Sequence, residues 1–314
     1  MDTSKPVDPR DLFSAKDLVI VITGGGSGIG LAFAAALARS SARKIYLLGR
    51  RLQNLQEAAT SINSSVITPV QCDVTSPASI SAAVKQVEQE VGYIDVLINN
   101  AGVEGPKHTD IYKAATISEL QAIMLKDPEG WDTAYRTNTT AVNTVSASFL
   151  ALLDAGNARR GWVQGKRTHQ TRAEGADYDA SDERTSQIIT VTSISSFNRT
   201  VTAGLAYTAS KAGATMLAKS MANFLAPWGI RSNVIAPGRF PSEMTAGAAT
   251  EFPVDQVPAG KPGVYGDMAG TILYLVGKAG AYVNGNAGHD ISWWLVAESL
   301  LNSVKQDFEC VLQA

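Results

Sequence analysis

The 314-residue sequence is poor in the side chains that hold metals or staple small folds, with only two cysteines, Cys72 and Cys310, and three histidines. Two distant thiols make no disulfide framework and point to a reducing compartment. With so few thiolates and imidazoles, no metal site is expected. Charge is scarce and balanced, 27 basic against 29 acidic side chains, and the lysines and arginines are spread along the chain. No basic footprint for nucleic acid or anionic lipid results, so neither nucleic acid nor membrane is an expected partner. No run approaches the roughly 18 apolar residues of a spanning helix. The N-terminal MDTSKPVDPRDLFSAKD has no basic start followed by an apolar run, so no secretory signal is expected and a cytoplasmic location follows by default.

What is present is 45 % hydrophobic and 18 % charged content, enough apolar material for a large globular core. Short apolar runs alternate with segments of helical spacing. Strands are predicted at 18–23, 44–49, 66–72, 94–99, 187–192 and 230–235, and helices from 28 onward and at 51–62, 76–91, 129–153, 205–226 and 267–276. Strands separated by helices of ten or more residues imply right-handed crossovers and a parallel sheet covered on both faces. The expected fold is α/β, a single Rossmann-type doubly wound sheet over residues 1–314 with its core at about 17–285. Segment 103–128 leaves the carboxyl end of a strand, the side on which ligands sit in such sheets. Segment 155–186, polar and poor in large apolar residues, joins a helix to the amino end of the next strand, so a mobile loop remote from the chemistry is expected.

Thr23-Gly24-Gly25-Gly26-Ser27-Gly28-Ile29-Gly30 sits where a strand turns into a helix. There the backbone can approach a pyrophosphate, and the helix N-terminus favours its charge. A glycine cluster alone could be an ordinary turn, so the strand-turn-helix context carries the reading. The second strand ends in Gly49, Arg50 and Arg51, with no carboxylate to bind the ribose hydroxyls of NAD and guanidinium groups suited to a 2'-phosphate. NADP(H) is therefore the expected cofactor and Arg50 the expected phosphate contact, the alternative being that both arginines merely open the next helix. Asp73 and Val74 follow the third strand, and Asn99-Asn100-Ala101-Gly102 closes the fourth. Asn100, Ala101 and Gly102 are read as cofactor contacts and Asn99 as a structural cap.

Tyr207 and Lys211 stand four residues apart on a helix, so both project from one face. A phenol has an ordinary pKa of about 10, and an ammonium beside it favours phenolate, which suits proton exchange with a carbonyl oxygen. Tyr-x-x-x-Lys is common by itself. Ser193, at the end of the fifth strand, can hydrogen-bond the same oxygen, with Thr192 and Ser195 as competitors.

Taken together these motifs resemble the short-chain dehydrogenase/reductase family over about residues 17–285. The resemblance implies that Tyr207 is the general acid in reduction, that Lys211 holds the nicotinamide ribose and lowers the tyrosine pKa, and that Ser193 orients the carbonyl. Asn138, in YRTNTTAVN, matches the family's fourth catalytic position and would hold a water of the proton relay. Pro237 and Gly238, with Phe240 and Ser242 after them, match the loop that meets the nicotinamide. NVIAPGRFPSEMT is similar to rhamnolipid-type 3-oxoacyl carrier-protein reductases and to fungal relatives of secondary metabolism, which implies a ketone or alcohol substrate. A homo-oligomer, dimer or tetramer, is expected on the same ground. The sequence departs from the family after Gly285: Asn286-Ala287-Gly288-His289 weakens the expected last strand, and 293–304 has near-helical apolar spacing, so 286–314 reads as an atypical tail. A cofactor-binding scaffold without redox chemistry is the competing function, against which the four intact positions stand.

Overall fold

A computed structural model of the chain describes residues 8–245, 250–254, 257 and 259–288. The start of the N-terminal segment, the stretch at 246–249 and the tail from 289, including the apolar spacing at 293–304, lie outside the described residues.

Strands β1 (Val19–Thr23), β2 (Lys44–Gly49), β3 (Ile67–Gln71), β4 (Val96–Asn99), β5 (Gln187–Val191), β6 (Arg231–Ile235) and β7 (Ala287–Gly288) form one sheet in the order β3-β2-β1-β4-β5-β6-β7. Every pairing is parallel. β1 and β5 are buried at every position, as strands covered on both faces must be. The last strand does pair with β6, but among the described residues only Ala287 and Gly288 take part.

The helices are α1 (Pro9–Leu12), α2 (Gly28–Arg39), α3 (Leu52–Ile62), α4 (Pro77–Val91), α5 (Ile117–Met124), α6 (Pro128–Tyr135), α7 (Ala141–Arg159), α8 (Leu205–Phe224) and α9 (Tyr265–Val276). One apolar layer gathers Phe33, Leu37, Ile45, Leu47, Ile98 and Ile272 on one face of the sheet. Val21, Tyr46, Val87, Leu97, Phe149 and Ile188 form the layer on the other. Each fully buried aliphatic or phenyl group contributes about 1.5–3 kcal/mol. No helix among the described residues is long and apolar enough to cross a membrane.

Two expectations need correction. The helix predicted at 129–153 is α6 and α7 joined by a π turn, Arg136–Thr140. The segment 155–186 is packed rather than free. Arg160, 6 % exposed, places Nη2 2.9 Å from Oδ1 of the fully buried Asp95, just before β4. Arg184 grips Asp182 at 2.8 Å and donates to the main-chain carbonyls of Ser14 and Val276. The Arg172 guanidinium stacks on Trp162 at 3.5 Å and on Tyr178 at 4.4 Å. Burial would push the Asp182 carboxyl up, but the hydrogen bonds and charge of Arg184, with Arg160 beside it, bring it down to about 2. Composition missed this because arginines paired and stacked in this way do the work of apolar side chains.

Candidate active site

The carboxyl ends of β1, β2, β4 and β5 open onto a cleft of about 560 Å³. Its floor on the β1 side is the glycine turn. Gly24 has φ +65° and Gly28 φ +54°, the left-handed region open to glycine without strain. Ser27 caps α2 without a side-chain hydrogen bond, and no acidic residue lies in the first turn, so the helix's first N–H groups are free for an anion. Gly24, Ser27, Gly28 and Ile29 line the cleft. Gly30 instead makes room for close packing, since a Cβ there would come within 2.5 Å of both Asn100 Nδ2 and the Gly24 carbonyl.

Asn100 lines the cleft, yet its Nδ2 donates to the carbonyls of Thr23 and Gly24 at 3.0 Å. Its side-chain amide nitrogen therefore braces the glycine turn. Ala101 and Gly102 line the cleft as expected, and Asn99 is tied to Ser146 at 2.9 Å as a structural cap. At the far end Arg50, Arg51, Asp73 and Val74 line the wall. The Asp73 carboxyl accepts from the Thr75 amide and hydroxyl and lies near Arg50, which together hold it below the ordinary carboxylate range. Arg51, to which the sequence motif assigns no contact of its own, is paired across the cleft with Glu243, its Nη2 2.7 and 2.9 Å from the two carboxylate oxygens.

Tyr207 and Lys211 reach the cleft from α8, both less than 9 % exposed. Tyr207 is hydrogen-bonded to Ser193, which favours its phenolate, but burial outweighs this and raises the phenol above 10. Lys211 Nζ donates to the Val191 carbonyl at 2.9 Å, and burial without a carboxylate partner lowers it to about 8. Desolvation dominates both groups. Ser193, just after β5, is 7 % exposed, and its Oγ accepts from the Ser195 amide at 3.1 Å.

Asn138 sits in the π turn, an element often found at functional sites. Its Oδ1 accepts from the Val103 amide, and its Nδ2 donates to the Val103 carbonyl and the Ser210 hydroxyl, all at 2.9–3.0 Å. The side chain is thereby spent on fixing Val103 in the cleft wall. Gly102 leaves the room this needs, since a Cβ there would lie 3.1 Å from Asn138 Oδ1 and 3.2 Å from Lys211 Nζ.

The loop after β6 divides. The Pro237 carbonyl accepts from the Ile194 amide, holding the strand ends together, with Gly238 half-buried beside it. Ser242 lines the cleft against Gly28. Phe240, expected at the cofactor, is instead 6 % exposed and packed in the apolar core. Among the described residues no cluster of metal-ligating side chains occurs.

The glycine cradle, the free α2 N-terminus, the two arginines and the buried Tyr207 and Lys211 fit a dinucleotide laid along the strand ends, with its nicotinamide end toward α8. Comparison with known proteins agrees. The short chain dehydrogenase family model matches residues 18–181, and a second model, enoyl-(acyl carrier protein) reductase, matches 176–289. The short-chain dehydrogenase/reductase VdtF of Byssochlamys spectabilis is 40 % identical, covering 90 % of this chain and 93 % of that protein. PhomF of Diaporthe leptostromiformis, of the same description, is 38 % identical over 88 % of this chain and 90 % of its own. Among solved structures, the Pseudomonas aeruginosa RhlG/NADP active-site complex superposes with a TM-score of 0.69 at 27 % identity, covering 88 % of this chain and 95 % of that one. The chain belongs to the short-chain dehydrogenase/reductase family and is an oxidoreductase of that type.

Proposed function

We propose that this protein uses NADP(H) to reduce a ketone to a secondary alcohol, the substrate being an acyl, polyketide or related secondary-metabolite intermediate. The observation that carries the reading is the convergence of Tyr207, Lys211, the glycine turn and the Arg50–Arg51 pair on one cleft. When bound, a reduced nicotinamide supplies the hydride for the carbonyl carbon. Tyr207, kept protonated by burial, gives its phenolic proton to the carbonyl oxygen as negative charge develops there. Ser193 donates a hydrogen bond to that oxygen and fixes the carbonyl's orientation.

Lys211, protonated at neutral pH, spends one of its three N–H donors on Val191 and keeps two for the ribose hydroxyls. Gly24, Ser27, Gly28 and Ile29 cradle the pyrophosphate at the α2 N-terminus. Arg50 and Arg51 receive the 2'-phosphate. Likeness to the RhlG/NADP complex supports the cofactor, and likeness to a rhamnolipids biosynthesis 3-oxoacyl-(acyl-carrier-protein) reductase supports the substrate class. Exposed Met216, Phe224 and Trp228 on and after α8 support a homo-oligomer.

The test is titration of the purified protein with NADPH and NADH, followed by cofactor oxidation across a panel of ketones. Tight NADPH binding with turnover is the expected result. Binding with no turnover on any ketone would move the reading to a non-redox scaffold.

A further inference from the structure

We infer that Glu243 is a cofactor-selectivity residue: its carboxylate stands on Arg51 where a ribose 2'-phosphate would sit, so NADP(H) binds by displacing it while NAD(H) leaves it in place. The inference rests on the NADP(H) reading above and goes beyond it to a residue on the opposite wall.

Three observations converge. Arg51 and Glu243 are 192 positions apart in sequence, yet both line the cleft and their charges meet at 2.7 Å. Ser242, the preceding residue, lies so close to the glycine turn that a Cβ at Gly28 would come 3.2 Å from its own. The 242–244 segment therefore crosses the cleft from the glycine turn to the end of β2. Lastly, the positive potential at the end of β2 has no local acid to quench it. Arg51 is the N-cap of α3, which has no side-chain cap hydrogen bond and no acidic residue in its first turn. Asp73, the nearby carboxylate, is turned onto Thr75. The anion that answers Arg51 among the described residues is thus Glu243, brought from across the cleft.

Chemistry decides the exchange. Both partners are more than half exposed, so water screens the pair and it breaks readily. A phosphate offers more charge and three acceptor oxygens to Arg51, to Arg50 and to the open N–H groups of α3, and so replaces a single carboxylate. The neutral 2'-hydroxyl of NAD(H) has no such advantage. When only the fraction of molecules with Arg51 released binds the phosphate, the apparent dissociation constant rises by the inverse of that fraction. Glu243 therefore weakens NADP(H) selectively and narrows the discrimination that the arginines alone would give.

The experiment is calorimetric titration of the full chain with 2',5'-ADP and with 5'-AMP, which differ in the 2'-phosphate, for wild type, Glu243→Gln, Arg51→Ala and the double variant. Glu243→Gln is expected to tighten 2',5'-ADP about three- to tenfold and to leave 5'-AMP within about twofold. Arg51→Ala is expected to weaken 2',5'-ADP about tenfold or more, and adding Glu243→Gln to it should change nothing further. If Glu243→Gln leaves 2',5'-ADP unchanged or weaker, or tightens both ligands equally, the inference is overturned even though Arg51→Ala lowers 2',5'-ADP affinity. If wild type binds both ligands equally and Arg51→Ala alters neither, the NADP(H) reading itself falls.

Discussion

The Lys211 ammonium donates to the Val191 main-chain carbonyl at 2.9 Å, with its Nζ 5.9 Å from the centre of the Tyr207 ring. A buried cation with a neutral hydrogen-bond partner is costly to the folded state, and burial accordingly lowers its pKa to about 8. On the proposed mechanism, position 211 thus serves chemistry at the expense of stability. Lys211→Met should abolish turnover while making the cofactor-free protein more stable at pH 7. A fall from 10.5 to about 8 corresponds to roughly 3 kcal/mol, less about 1 kcal/mol for the orphaned Val191 carbonyl, leaving a gain of about 2 kcal/mol. Between pH 8 and 10.5 only the unfolded state keeps the proton, so wild type gains stability with rising pH and the difference closes. Thermal melts of both proteins across that range check the sign.

On the proposed mechanism, the same two groups set the pH dependence of reduction. Loss of the Lys211 proton near pH 8 should bring the first fall in kcat/KM, and the raised Tyr207 a second only on the alkaline side of 10. In Lys211→Arg the first limb should vanish, because a guanidinium stays charged throughout. A profile already falling below pH 7 in wild type would contradict this assignment.

Tyr207→Phe removes the proton donor and little else. We expect kcat to drop by about 10²–10⁴, with NADPH affinity within about twofold of wild type. Fluorescence titration beside steady-state kinetics separates the two, and a parallel loss of binding would show that the hydroxyl positions the cofactor.

Asn138→Ala strips three hydrogen bonds from a residue 1 % exposed and leaves both Val103 main-chain groups unpaired. A stability loss of about 2–4 kcal/mol should follow, with a fall in kcat because Val103 belongs to the cleft wall. Denaturant unfolding read with kinetics tests it; an unchanged midpoint would mean that the π turn holds without this clamp.

At the amino ends of the strands, Arg160→Ala should destabilise the fold by about 1.5–3 kcal/mol by removing the closer of the two arginines on buried Asp95, Arg159 remaining at 3.2 Å, while leaving kcat of the folded enzyme unchanged. Replacing 155–186 with a short linker should be worse, since Arg184 and Trp162 go too. Urea midpoints and activity at low urea, measured together, distinguish stability from catalysis.

Periodicity located the sheet well. The expected 44–49 strand coincides with β2, and those expected at 187–192 and 230–235 differ from β5 and β6 by one residue, because short runs between turns or loops leave little freedom in register. Tyr207, Lys211, Arg50 and the glycine turn were legible for a similar reason, as each is placed by local geometry. What escaped depends on contacts between distant segments. Whether Asn100 faces a ligand or the glycine turn is decided by the Thr23 and Gly24 carbonyls, and Phe240 by a core assembled from both halves of the chain. Arg51 and Glu243 meet only when β2 and the loop after β6 share a cleft. The π turn at Asn138 offsets the apolar spacing of α7 from that of α6, but the eight residues of α6 are too few for the offset to be read.

The segment 155–186 is fastened by its arginines at the amino edge of the strands, yet Gln170 within it is exposed. The one cysteine among the described residues, Cys72, is buried. A thiol introduced by Gln170→Cys would therefore offer a solvent-facing point of attachment on the side of the sheet away from the cleft, and a dye or a solid support joined there would leave the mouth of the cleft unobstructed.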